Sequence, residues 1–365
     1  MGRDPGRSIG GVQCRIVAPE ELTTTDLAAW SACAAASLEP NPFLEPEWLL
    51  SALEHLDESP TARLVIVEHD GAIHALAPVE QIAAGHDATG ALLAHSALVT
   101  RVMPTAVALG TPLVTHRGSA DAASSLLAGL RQEAERVGAG HVILEWVGAD
   151  GPIAPLLQRV LADADHPLVQ FDCWERAMLR RRTGDDDGYC LRNVGKNRLR
   201  TIRQHRRRLV EALGTNPYVR TRTDLGAIDA FLRLEASGWK GHEADGLALR
   251  RRDGAKAFFE TACRRFLAEG RLWFHSLERD GGPFAMICMV RAGEGEFAFR
   301  TAYDEDLAKF GPGVEIFVDA MQQFERSTDG RWLDTCAAPG NQHLMQLFPD
   351  SHVMTTLMLR VPVHG

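Results

Sequence analysis

Long apolar runs are missing from this 365-residue sequence. The longest are short pieces such as residues 286–290, where a bilayer-spanning helix needs ~20 residues. The sequence therefore reads as a soluble protein with no membrane partner. Arg3 and Arg7 are not followed by an apolar stretch, and Gly6 stands where a myristoylation signal requires Ser or Thr, so neither export nor a lipid anchor is expected. The seven cysteines include no Cys-x-x-Cys, and the fourteen histidines include no His-x-x-x-His or His-Glu-x-x-His. Those absences exclude the common zinc and redox motifs, so the expectation is a cytoplasmic chain with reduced thiols and no metal. A Gly-x-Ser-x-Gly elbow, a Walker A loop and a Gly-x-Gly-x-x-Gly fingerprint are also missing. With them go the signatures of α/β-hydrolases, P-loop NTPases and dinucleotide enzymes. Aromatics are sparse at 7%, without the stacking motifs of single-stranded RNA readers.

What is present is globular: 45% hydrophobic and 24% charged residues, on a chain long enough for two domains. Only four of the 39 basic residues are lysines, and the net charge is −9. The charge is unevenly spread. Residues 191–223 hold ten Arg and Lys against Glu211 alone, a local +9 that leaves −18 for the rest. Within this block Leu199, Ile202, Leu209 and Leu213 recur at helical intervals, with Arg198, Arg200, Arg203, Arg207 and Arg208 largely on the other sides. An amphipathic basic helix is expected. Its arginines either pair with the acidic remainder or form a patch for phosphate, nucleic acid or another anion.

The pattern of elements repeats. In the first half a strand (13–17), two helices (26–38, 47–56) and a hairpin (62–69 with 73–80 across Asp70-Gly71) follow one another. In the second half the same order is a strand (218–222), two helices (225–238, 254–269) and a hairpin (272–278 with 283–291). Each half then continues with a strand, a helix, a strand, a short helix and a last strand, placed at 168–174 and 353–361. Helices interleaved with strands predict an α/β fold with a mixed sheet, built as a tandem duplication. The expected domains are 1–165 and 191–365, with a linker or boundary region over 166–190.

The segment most able to carry chemistry runs Phe297-Ala-Phe-Arg-Thr-Ala-Tyr-Asp-Glu-Asp-Leu-Ala-Lys-Phe-Gly-Pro-Gly-Val314. A strand ends near Tyr303, and Lys309-Phe-Gly-Pro-Gly313 opens a helix. Two glycines allow close backbone approach, several unsatisfied amides point at one spot, and the helix dipole favours an anion there. Lys309 adds a positive charge. The competing reading is a plain Gly-Pro helix start.

These residues resemble the GNAT acyltransferases, in particular the FemAB-like branch of cellulose-biosynthesis-type (CelD/BcsL-like) acetyltransferases. Asn41-Pro-Phe-Leu-Glu-Pro-Glu-Trp48, the Arg-rich run from Lys196 to Arg208 and Phe231-Leu-Arg-Leu-Glu-Ala-Ser-Gly-Trp-Lys240 are similar to that branch as well. The resemblance covers about residues 15–361 and implies two GNAT-like halves. It also implies that Lys309, Phe310, Gly311, Gly313 and Val314 receive the pyrophosphate of acetyl-CoA or another acyl-CoA. The Gln or Arg of the broader family pattern falls on Ala308, with Lys309 beside it. The equivalent region of the first half has Gly110 and Gly118 but no compact Gly-x-Gly, which assigns the cofactor to the second half.

Acyl transfer to an amine needs a donor for the developing oxyanion and an acid for the leaving thiolate. On this resemblance Tyr303 is the candidate acid, and strand amides near it are the oxyanion donor. Asp304 or Asp334, each at a strand end, takes the amine's proton, the competing reading being a structural role such as a turn or cap; Cys336, two residues past Asp334, reads first as a buried thiol, with a covalent acyl-cysteine as the alternative. Trp239, Lys240 and Arg300 are assigned to the acceptor side. The expected activity is N-acyl transfer, with acetyl favoured, to a small-molecule or glycan amine by direct attack. Alternatives on the same fold are a FemAB-like transferase using aminoacyl-tRNA, whose basic helix would contact tRNA, and a non-catalytic binding or scaffold protein.

Overall fold

A computed structural model describes residues 12–85, 87–88, 91–92, 94–162, 167–182, 188–238, 248–327 and 329–362. In chain order, β1 (Gln13–Val17) leads to α1 (Thr24–Ala35), α2 (Pro46–His55) and the hairpin β2 (Arg63–His69) and β3 (Ala72–Ile82). A two-residue pair, β4 (Asp87–Ala88) and β5 (Ala91–Leu92), precedes β6 (Ala97–Val99), β7 (Leu113–Val114), α3 (Ser119–Val137), β8 (His141–Gly148) and α4 (Ile153–Val160). Then come β9 (Val169–Arg180), α5 (Tyr189–Arg192), α6 (Lys196–Leu213), β10 (Tyr218–Arg222), α7 (Leu225–Ser237) and α8 (Ala255–Ala268). The chain continues with β11 (Leu272–Arg279), β12 (Gly282–Ala292), β13 (Gly295–Tyr303), α9 (Pro312–Arg326), β14 (Trp332–Asp334), α10 (Gln342–Met345) and β15 (Asp350–Arg360).

Local chemistry explains where these elements start and turn. α1 opens in a capping box: Thr23 Oγ1 accepts from Asp26 N–H at 3.2 Å, and Asp26 Oδ2 accepts from Thr23 N–H at 2.8 Å. The β2–β3 turn uses Asp70 and Gly71, both at positive φ (51° and 77°), as the tight hairpin turns that match strand twist require. In α9 Pro312 occupies the first helical position, where its missing N–H costs nothing.

The chain forms two compact units, residues 1–174 with 353–365, and residues 175–352. The first has strand order β1-β2-β3-β6-β8-β15 and the second β10-β11-β12-β13-β14-β9. The pairing pattern is the same in both. The first four strands are antiparallel, the fourth and fifth run parallel, and the fifth and sixth are antiparallel again. α3 lays Leu126, Leu127 and Leu130 into the core of the first unit. In the second unit, α9 (Ile316, Ala320, Phe324) and α6 (Ile202, Leu209) share one core.

Within residues 166–190, 169–180 form a strand, and the division between the two units falls inside it. One expectation is corrected: the last strands are exchanged between the halves. Leu357, Met358 and Leu359 of β15 pair with β8 of the first unit, while Met178, Leu179 and Arg180 of β9 pair with β14 of the second. Spacing along the chain could not reveal this, since either strand offers the same alternation to either partner. Among the described residues no helix is long and apolar enough to cross a membrane.

Candidate functional site

The second unit opens where two parallel strands part. β13 and β14 are paired only from Gly295 to Phe297 against Trp332 to Asp334. Past Asp334 the chain follows β9: Thr335 N–H and Oγ1 both donate to Ala177 O, at 3.3 and 2.8 Å. β13 meanwhile continues to Tyr303, held by β12 on its other side. Between Ala298 and Arg300 its register against β12 slips by one residue, so Phe299 is a bulge. A bulge turns a strand and re-aims its groups beside such an opening.

At the end of β13 the expected turn is in place. Asp304 caps a 3-10 segment, Glu305–Phe310, its Oδ1 accepting from Asp306 N–H at 3.1 Å and its Oδ2 lying 3.4 Å from Arg279. Gly311 then takes φ 67°, and α9 starts. Gly313 is tight against Tyr303: a Cβ there would lie 3.3 Å from ring atoms Cδ1 and Cε1. A side chain here would press on the ring by a few tenths of an ångström. The amides are fewer than expected, because Val314 and Glu315 N–H both bond to Gly311 O and Pro312 has none, which leaves Gly313 N–H as the amide of this turn without a backbone acceptor among the described residues. Lys309 is exposed, with Nζ 5.1 Å from the Phe310 ring centroid, and Phe310 and Val314 pack partly into the core.

The other expected residues are placed as follows. Arg300 Nε bonds Glu235 of α7, whose second oxygen accepts from Leu249 N–H at 2.8 Å. Arg300 thus braces α7 against β13 rather than standing open. Asp334 is fully buried, with Arg176 Nη1 at 3.6 Å, His352 Nδ1 at 3.2 Å and Cys336 N–H at 2.6 Å. Burial would raise its pKa, but Arg176, His352 and the Cys336 amide together hold it below the usual carboxylate range. Cys336, at φ 51°, has its thiol pushed well up by burial and by Asp334, which disfavours the thiolate an acyl-cysteine requires. Trp239 and Lys240 lie outside the described residues.

Several residues at the site went unread in the sequence. His205 of α6 places its Nδ1 3.2 Å from where a Gly311 Cβ would sit. Arg206 Nη1 is 2.9 Å from Glu315 Oε1 in the first turn of α9. Burial pushes Glu315 up to about 7, against the pull of Arg206 and with Asp319 adding to the rise. The i, i+4 spacing of Glu315 and Asp319 was the available signal for a buried acidic face; His205 carried none. Among the described residues no group of three or more His, Cys, Asp or Glu is arranged to hold a metal.

In the first unit the corresponding opening is filled by the chain itself. β6 and β8 pair over Ala97 to Val99, and the following loop then runs along β8, with Thr100 N–H on Ile143 O and Gly110 N–H on Trp146 O. A Cβ on Gly110 would fall 2.0 Å from Glu145 O. The loop buries Val102, Met103, Val107 and Leu109, and the Asn41–Trp48 motif ties it down. Asn41 Nδ2 donates to Leu109 O and Thr111 O, and Trp48 Nε1 donates to Ala106 O at 3.0 Å.

Residues 196–339 match the family model described as an acetyltransferase (GNAT) domain. This GNAT match runs from α6 through the turn to just past Asp334, so it contains the whole opening described above. Among solved structures the chain is similar to FemX, at 10% identity over 93% of this chain and 96% of that one, with a TM-score of 0.60. It is also similar to a conserved protein of unknown function from Bacteroides thetaiotaomicron, at 12% identity, 94% and 98% coverage and a TM-score of 0.58. A third is the C-terminal DUF2156 domain of a candidate lysylphosphatidylglycerol synthetase from Agrobacterium fabrum, at 12% identity, 91% coverage of both chains and a TM-score of 0.54. These likenesses show the fold alone, a mixed α/β fold whose two halves repeat one strand order. No curated protein matches the sequence.

Proposed function

We propose that this protein is an N-acyltransferase whose second unit binds an acyl-CoA and passes the acyl group, acetyl in the first instance, to an amine by direct attack. The observation that carries the reading is the parting of β13 from β14 beside the Gly311-Pro312-Gly313 helix start, within the GNAT match. The diphosphate of the co-substrate sits at the start of α9, against Gly313 N–H, the helix dipole and Lys309. The thioester lies along β13 near the Phe299 bulge, where backbone amides stabilise the oxyanion. The amine nitrogen bonds to the carbonyl carbon, the carbon–sulfur bond breaks, and Tyr303 gives the leaving thiolate its proton. Asp304, partly exposed at the strand end, relays the amine's proton to solvent. Asp334 and Arg300 position the framework through their ion pairs. The acceptor is a small-molecule or glycan amine, and the FemAB-like, cellulose-biosynthesis-type branch in the cytoplasm is the setting we favour.

One observation favours a second reading, transfer from aminoacyl-tRNA. On α6, Lys196, Arg200, Arg203, Arg207 and Arg208 are exposed, and among the described residues they have no ion-pair partner. Isothermal titration with acetyl-CoA, longer acyl-CoAs and bulk tRNA separates the two. Acyl-CoA is expected to bind, Gly313→Trp to abolish binding, and Lys309→Ala to weaken it by a few-fold, about 0.5–1 kcal/mol for one exposed cation. If no CoA species binds at millimolar concentration, the acyl-CoA reading fails; steeply salt-dependent tRNA binding would support the second reading.

A further inference from the structure

Helix α6 carries a guanidinium to the first turn of α9 and spends it on a carboxylate. Arg206 is about half exposed (48%), whereas Glu315 is only 5% exposed, and the two are 2.9 Å apart. One turn further, Asp319 is also buried, and its Oδ2 has no hydrogen-bond partner among the described residues. Two buried carboxylates thus line one side of the helix end whose dipole favours an external anion. From α6 the groups on this corner are Arg206 and His205, from the preceding turn Lys309, and from α9 itself Asp319, with Arg326 acting on Asp319.

An arriving diphosphate would meet a cation already engaged and an anion already in place. We infer that Arg206 is a phosphate-binding residue of the co-substrate site, and that a diphosphate at Gly311–Gly313 draws its guanidinium off Glu315, which takes up a proton from solvent in exchange. This rests on the reading that the turn receives a diphosphate. A long, half-exposed arginine can swing between partners within one helical turn, and phosphate oxygens match its fork as well as a carboxylate does. Stripping a buried carboxylate of a cation that faces it is costly unless it is neutralised. Burial already brings Glu315 to about 7, so at neutral pH the proton is available. It adds to a carboxylate oxygen and removes the repulsion between Glu315 and the phosphates. Binding therefore tightens as the pH falls through neutrality.

The test is calorimetric titration of dephospho-CoA, whose diester diphosphate does not titrate near neutral pH, in buffers of different ionisation enthalpy at pH 7. The wild-type chain is expected to take up about half a proton per ligand bound. Glu315→Gln, nearly isosteric, should bind at least as tightly with no uptake, and Arg206→Ala should bind about tenfold more weakly. Binding without proton uptake, or undiminished binding by Arg206→Ala, overturns the inference while the acyl-CoA reading stands. Absence of any binding overturns both.

Discussion

Asp334 shows how one side chain can look catalytic in a sequence and act as a keystone in the fold. It ends β14 where the strands part, but its oxygens are committed to Arg176, His352 and the Cys336 amide, and both it and Arg176 are wholly buried. Replacing it removes the carboxylate that faces a wholly buried guanidinium. Asp334→Asn is expected to lower unfolding free energy by about 3–5 kcal/mol, read by urea denaturation, with part of the loss recovered in the double variant with Arg176→Met. The sign with pH follows from the depressed pKa. The stabilisation is fully present above the unfolded carboxylate value, ~3.9, and is lost as the pH falls through the lower folded value. The acid limb of Asp334→Asn should accordingly be flatter than that of the wild-type chain. Its place at a strand end was legible; Arg176 and His352, 158 residues before and 18 after in sequence, were not.

At the scale of elements, the Asn41-to-Trp48 segment has a mechanical explanation. Asn41 caps the turn that follows through Phe43 N–H at 3.1 Å and satisfies the Leu109 and Thr111 carbonyls of the loop that fills the first unit's opening. Asn41→Ala should cost about 2–3 kcal/mol, because buried polar groups lose their partners, measured as a shift in the denaturation midpoint. An unchanged midpoint would mean that the loop holds itself. The hairpins, the helix start at Pro312 and the apolar face of α6 were readable because each is set by residues a few positions apart. The number of free amides at the α9 start was not, since it depends on how the turn before it closes on Gly311 O.

For the whole molecule, the exchanged last strands make the two units depend on distant parts of the chain. β15 gives the first unit its pairing with β8 and places Leu357, Leu359 and Val361 in that core. A chain stopped at Pro349 is expected to lose a strand and core side chains from a unit whose other residues all lie at or before residue 174. Limited proteolysis should then cut within residues 12–174, where the full chain resists. Protection equal to that of the full chain would show that the first unit closes without β15.

Sequence alone determined the repeated order of elements, the basic helix, the Gly-Pro-Gly turn and its place in the second half. All of these rest on short-range periodicity and on the backbone demands of glycine and proline. Tertiary structure alone decided which half each last strand completes, that the first opening is filled by Val102 to Leu109, and that Asp334, Arg300 and Glu315 are held by Arg176, Glu235 and Arg206. Those outcomes depend on pairings between residues far apart in the chain, where burial and charge act through space and the spacing of letters carries no distance.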